Sequence, residues 1–129
     1  MPKSYFEYDA KSDMVGPFAL DASTIDALPE KQGYYLLADR HRGTFVVKYV
    51  GRTDDRILAD RLDEHIGNDS YFYYDLAGYE LDAFLRECEE FHRYGGTRNL
   101  DNGVHPARPK GKTKGRAACA LGGCNGEGE

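Results

Sequence analysis

The chain has 129 residues, of which 40% are hydrophobic and 30% charged, and its formal net charge is −5. This length fits one domain with a single core, and the acidic balance argues against indiscriminate nucleic-acid binding, which depends on clustered Lys and Arg. No apolar run approaches the ~18 residues of a membrane span, and residues 1–13 lack the apolar region of a signal peptide. We therefore expect a cytoplasmic protein without a membrane partner. The three widely separated cysteines make no disulfide framework and agree with a reducing compartment.

The first part of the chain gives little local signal. Residues 1–21 have no sustained period, so we assign them only as an N-terminal arm. A short helix is expected next, with Ser23 or Thr24 as its N-cap and Pro29 as its stop. This helix leads into the strongest pattern in the chain.

Two apolar, tyrosine-bearing runs, 33–38 and 45–50, flank a polar segment that contains a glycine. Aromatic and β-branched runs bounded by turn formers predict a β-hairpin. With the turn centred near Arg42, Tyr35 is expected opposite Tyr49, so the two phenols share one face. The other face is apolar as well, with Tyr34, Leu36, Val46 and Val50. A hairpin that is apolar on both faces predicts helices on both sides.

A second helix is expected after the hairpin, over residues 55–66. Thr53 and Asp54 can cap it. Its apolar stripe consists of Ile57, Leu58, Leu62 and Ile66. Arg61 and His65 lie one turn apart on this helix, at the edge of the stripe. Both side chains can therefore rest on the sheet and still reach solvent.

The rest of the chain predicts a third strand and a long helix. The segment YFYYD, residues 71–75, has the composition of a short aromatic strand. Residues 78–94 have the period of an amphipathic helix, and Glu87 borders its apolar face. The tail over 110–129 is basic and then glycine-rich, and we expect it to be disordered.

Five short segments carry a resemblance to a known family. In chain order they are GYY at 33–35, YVG at 49–51 followed by Arg52, RLDEH at 61–65, AFLREC around Glu87 and LDNGVHP around Asn102. Together they resemble the GIY-YIG nuclease family. The resemblance implies an α+β fold, a small three-stranded antiparallel sheet flanked by helices. It also implies a catalytic domain over residues 22–109.

The resemblance assigns a role to each matched residue. Tyr35 and Tyr49 correspond to the two motif tyrosines, Arg61 to a phosphate-clamping arginine, His65 to the residue one turn later, Glu87 to the single metal-binding carboxylate, and Asn102 to a late polar active-site residue. Arg52 can add a second phosphate contact. Tyr34 and Val50 replace the middle isoleucines of the two tripeptides, and neither change affects the proposed chemistry.

The chemistry explains why these residue types are needed. Phosphodiester hydrolysis requires an activated water and positive charge to neutralise the phosphate. One carboxylate, Glu87, is a sparse ligand set that suits Mg²⁺ or Mn²⁺. A tyrosine, with an unperturbed pKa of ~10, needs help from a nearby cation or a metal-bound water to act as general base. The sequence favours Tyr35 slightly for this role, with Tyr49 as an orienter of phosphate or water.

The sequence therefore predicts a metal-dependent endonuclease that hydrolyses DNA phosphodiester bonds. RNA as the substrate, and a partner protein that supplies specificity, stay open. The first alternative is a catalytically inactive nucleic-acid-binding module of the same fold, and the second is a protein-interaction domain. Cys119 and Cys124 form a C-x4-C pair, which falls short of a closed zinc site.

Overall fold

The computed structural model describes residues 4–53, 56–77 and 80–102. In these parts of the chain, five strands form one antiparallel sheet in the order β1-β4-β3-β5-β2. The strands are β1 Phe6–Glu7, β2 Val15–Ala19, β3 Gly33–His41, β4 Thr44–Arg52 and β5 Tyr71–Leu76. The helices are α1 Ala22–Asp26, α2 Leu58–Asp63, α3 Glu80–Arg93 and α4 Gly96–Asn99, and a 3-10 turn spans Ala10–Ser12.

The predicted three-stranded sheet is wrong, because the N-terminal arm supplies two further strands. β1 pairs with β4 through Phe6 and Val47, and β2 pairs with β5 at the opposite edge. Neither strand has a readable period in the sequence, since β1 has two residues and β2 contains a proline and an irregularity between Val15 and Phe18. The arm therefore covers both edges of the three strands that the sequence predicted.

The hairpin is confirmed, but its predicted register is wrong. The turn is centred between Arg42 and Gly43, both with positive φ, which is the geometry that favours two-residue hairpin turns. Lys48 is an extra residue in β4, so that Leu37 pairs with Tyr49 while Ala38 pairs with Val47. Tyr35 consequently pairs with Gly51 instead of Tyr49. A shift of two residues preserves the face of a side chain, so the two phenols do share one face.

Helices cover both faces of the central sheet, as predicted. One face packs with α1 and α2 in a cluster formed by Leu20, Ile25, Tyr35, Leu37, Leu58, Leu62 and Phe72. The other face packs with α3 in a cluster formed by Leu36, Ala38, Val47, Val50, Tyr73, Phe91, Tyr94 and Leu100. The predicted register placed Val46 on this face. Because the turn centre is shifted, Val47 lies there instead and packs in this cluster. The tyrosine-bearing face is thus the α2 face, and the opposite one is the α3 face.

Helix boundaries depart from the predictions where side chains find other partners. Asp21, which precedes the expected caps, accepts a hydrogen bond from the Thr24 N–H at 2.9 Å and caps α1. The Thr53 hydroxyl accepts from the Gly33 N–H at 3.0 Å, so it joins two strands instead of capping α2. That helix is shorter than predicted and ends before His65. The predicted third strand and the long helix are confirmed as β5 and α3.

The remaining expectations concern the cysteines, the tail and the membrane. Cys88 is buried and disulfide-bonded. This differs from the expectation that the three cysteines are reduced. Cys119, Cys124 and the predicted disordered tail lie outside the described residues. No helix within the described ranges is long and apolar enough to cross a membrane.

Candidate functional site

Glycine is required in both tripeptides because other groups lie where a side chain would be. A Cβ built on Gly51 would lie 2.4 Å from both Cζ and Oη of Tyr35. A Cβ on Gly33 would lie 2.2 Å from the backbone oxygen of Asp75 on β5. Real Cβ atoms do not approach other atoms this closely. Gly51 therefore creates the space that the Tyr35 ring occupies on the α2 face.

Tyr35, Tyr49 and His65 form one aromatic group. The Tyr35 hydroxyl lies 3.1 Å from His65 Nε2, within hydrogen-bond distance. The Tyr49 ring centroid lies 6.4 Å from that of Tyr35 and 5.1 Å from that of His65. Tyr35 is 1% exposed, whereas Tyr49 and His65 are half-buried. The three predicted residues thus come together, although β3, β4 and the turn after α2 supply one each.

The surroundings of these rings favour their neutral forms. Burial raises the pKa of Tyr35, and the charge of Tyr49 raises it further. Burial also raises the pKa of Tyr49, with Glu87 as the next cause. Burial lowers the pKa of His65, although the nearby Glu64 opposes this shift. At neutral pH the imidazole is therefore neutral and can accept a hydrogen bond from the Tyr35 phenol.

Arg61 is the accessible cation of the group. Its Nε lies 3.4 Å from the Arg52 carbonyl oxygen, and its Nη1 lies 3.5 Å from a carboxylate oxygen of Glu64. The Arg61 side chain is 36% exposed, and its charge lowers the pKa of both Tyr35 and Tyr49. An anion from solvent can reach this guanidinium. Glu64 lies within the RLDEH segment, but the sequence did not predict that it pairs with Arg61.

Glu87 on α3 forms an ion pair with Arg52 at the end of β4. Arg52 Nη1 lies 2.5 Å from Glu87 Oε1, and each side chain is 9% exposed. The Arg52 guanidinium also lies over the ring of Phe84, 5.4 Å from its centroid. The charge of Glu87 raises the pKa of Tyr35 and of Tyr49, so it acts on the phenols of the opposite face. This ion pair was not predicted.

Asn102 holds the backbone next to the tyrosines. Its side-chain oxygen accepts from the Val50 N–H at 3.0 Å, and its NH₂ group donates to the Val50 carbonyl at 2.8 Å. These bonds give partners to the backbone N–H and carbonyl of Val50, which lies beyond the part of β4 that pairs with β1. Asn102 thus positions the segment between Tyr49 and Gly51.

The described residues contain no group of three or more His, Cys, Asp or Glu side chains that could hold a metal ion. A site closed by protein ligands is therefore not formed in this part of the chain. Mg²⁺ is bound differently, since it keeps several waters and takes one or two carboxylates from the protein. Glu87 offers hard carboxylate oxygens, the donor type that Mg²⁺ and Mn²⁺ take, but its side chain is buried and Oε1 contacts the Arg52 guanidinium.

The predicted residues differ in how directly they belong to this group. Tyr35, Tyr49 and His65 are in contact, Arg61 and Glu87 act on the two phenols by charge, and Asn102 acts through the backbone. Comparisons with protein-family models, with curated proteins and with solved structures found no match.

Proposed function

We propose that this chain is a metal-dependent endonuclease that hydrolyses DNA phosphodiester bonds. One observation carries the proposal: the Tyr35–His65 hydrogen bond lies where the charges of Arg61 and Glu87 both act on the phenols. A phenol, an imidazole, a guanidinium and a carboxylate supply proton transfer and phosphate stabilisation. The same residues carry the resemblance to the GIY-YIG nuclease family.

Arg61 receives the phosphate in the proposed mechanism. Its guanidinium combines exposure to solvent with proximity to both phenols. A guanidinium can hold two phosphate oxygens at once, which orients the phosphate and neutralises the charge that builds up during attack. The half-buried Tyr49 lies beside it and orients the phosphate or the attacking water.

Tyr35 and His65 move the proton. Because burial raises the pKa of Tyr35, a free phenolate is a costly intermediate. Tyr35 instead passes its own proton to His65 Nε2 while it accepts the proton of the attacking water. His65 can take that proton because burial lowers its pKa and keeps it neutral. The hydrogen bond between them thus supports Tyr35 as the phenol that transfers the proton.

Glu87 would hold Mg²⁺ or Mn²⁺ in this mechanism. When bound, the divalent ion supplies positive charge for the phosphate. The carboxylate lies close enough for its charge to reach both phenols. Arg52, its present partner, is the second candidate for a phosphate contact.

The test is cleavage of supercoiled and branched DNA, with an RNA of matched sequence, in Mg²⁺ or Mn²⁺. We expect the wild type to cleave and Glu87→Gln to lose cleavage, since the amide is a poorer ligand of nearly the same shape. Glu89→Gln is the matched control, because Glu89 lies on the same helix with a more exposed side chain. It should cleave like the wild type. Unchanged cleavage by Glu87→Gln, with its fold verified by circular dichroism, would refute the metal assignment.

The alternative is a nucleic-acid-binding module without turnover. The Arg52–Glu87 pair favours it, because a carboxylate already neutralised by a guanidinium needs no metal. This alternative predicts salt-sensitive binding of DNA or RNA by the wild type and no cleavage in either metal. Failure to bind nucleic acid at low salt would exclude both functions and favour a protein-interaction domain.

A further inference from the structure

The Arg52–Glu87 pair raises a question that the proposed function leaves open. Both side chains are nearly buried, and their charged atoms lie 2.5 Å apart. A buried carboxylate without a cation is strongly unfavourable, so some positive group has to lie beside Glu87 whenever the protein is folded. In the described structure Arg52 is such a group.

A divalent ion and this guanidinium compete for the same carboxylate. Positive charges repel each other strongly where water is scarce, because the effective dielectric constant is low. The oxygen Oε1 that Arg52 contacts cannot also be the close ligand of a small divalent ion while Arg52 stays in place. Because both cations would share one buried carboxylate, binding of the ion at Glu87 favours movement of the guanidinium away from Oε1.

We propose that Arg52 is an internal counter-ion that holds the Glu87 carboxylate when no divalent ion is bound and is displaced when one binds. This rests on the proposed function for the identity of the metal ligand. Arg52 is the last residue of β4, and its backbone carbonyl oxygen lies 3.4 Å from Arg61 Nε. The displaced guanidinium is then available to a phosphate, for which its planar donors are suited. Divalent ion and phosphate then bind cooperatively, each favouring the other.

The first test follows the wild-type protein by NMR during a Mg²⁺ titration without DNA. We expect the Arg52 Nε–H resonance and the Glu87 carboxylate resonance to shift together, with the same apparent affinity. Glu87→Gln should abolish the Arg52 response. A carboxylate shift without any change at Arg52, or no shift of either group, would overturn the proposal.

The second test removes the competitor and measures Mn²⁺ binding by electron paramagnetic resonance of the free ion. Arg52→Gln should bind one Mn²⁺ about tenfold more tightly than the wild type, the equivalent of roughly 1.4 kcal/mol. Arg52→Lys keeps the positive charge and should bind Mn²⁺ as weakly as the wild type. The double variant Arg52→Gln/Glu87→Gln should lose the tight site. Equal or weaker binding by Arg52→Gln would overturn the proposal.

Arg52→Gln removes the guanidinium that contacts Glu87, so the folding of this variant has to be followed. If the variant folds only when Mn²⁺ is present, the ion has replaced the guanidinium, which supports the proposal. If it does not fold in either condition, the wild-type titration decides. Neither test uses DNA cleavage, so the proposal and the nuclease function can fail separately.

Discussion

Gly51→Ala is the sharpest test of how the tyrosine group is built. The new methyl group would lie 2.4 Å from the Tyr35 ring and its hydroxyl, so the ring has to move away from Gly51. Overpacking of this kind costs about 1–3 kcal/mol. In a strand without such a contact, alanine should instead be more stable than glycine by roughly 0.5–1 kcal/mol. The sign of the effect therefore reports whether the Tyr35 ring is the obstacle.

A double-mutant cycle isolates this contact. Unfolding in urea gives the free energies of the wild type, Gly51→Ala, Tyr35→Leu and the double variant. We expect Gly51→Ala to destabilise the wild type but to be neutral or stabilising in the Tyr35→Leu background, where no ring occupies the space. Equal destabilisation in both backgrounds would refute the reasoning, because the cost would then arise elsewhere on β4.

The other predictions concern the two polar groups that hold the tyrosines in place. Asn102→Ala removes both hydrogen bonds to Val50 and should cost about 1–3 kcal/mol, since buried backbone groups lose their partners. Faster hydrogen exchange of the Val50 amide would accompany it, and an unchanged exchange rate would contradict the assignment. Because burial lowers the pKa of His65, the unfolded chain binds this proton more readily, and stability should fall as pH drops below about 6.5. His65→Gln should remove that part of the pH profile, and an identical profile would show that another group titrates.

The sequence predicted the elements whose pattern is long and local. The hairpin and β5 have runs of aromatic and β-branched residues, and α3 has apolar residues at helical spacing. The apolar character of both hairpin faces predicted helices on both sides. The strands of the arm escaped prediction because their pairing depends on distant partners. Phe6 is a β-strand residue only because Val47 lies opposite it. The extra residue Lys48 also has no local signature, so the register was misassigned.

The candidate site shows the same division. Arg61 and His65 were expected together from their spacing on one helix, and Tyr35 and Tyr49 from the hairpin. The contact of the histidine with a tyrosine, and the pairing of Arg52 with Glu87, join residues from different elements. Such contacts depend on how α2 and α3 pack, which a single sequence does not specify. The resemblance named these residues as a set but gave no partners, and the roles that it assigns to them stay predictions.

Lys48 has a consequence for how this hairpin can change. Its ammonium group lies 2.9 Å from a carboxylate oxygen of Asp39 and 3.2 Å from one of Asp69, so the irregularity in β4 is held in place by two ion pairs. A regular ladder continued from the turn would instead pair Tyr49 with Leu36 and direct its phenol toward α3. The half of the hairpin near the turn and the half that carries the tyrosines are therefore one residue out of phase. Insertion or loss of a single codon in β4 can move a phenol from one side of the protein to the other, a change that no point substitution produces.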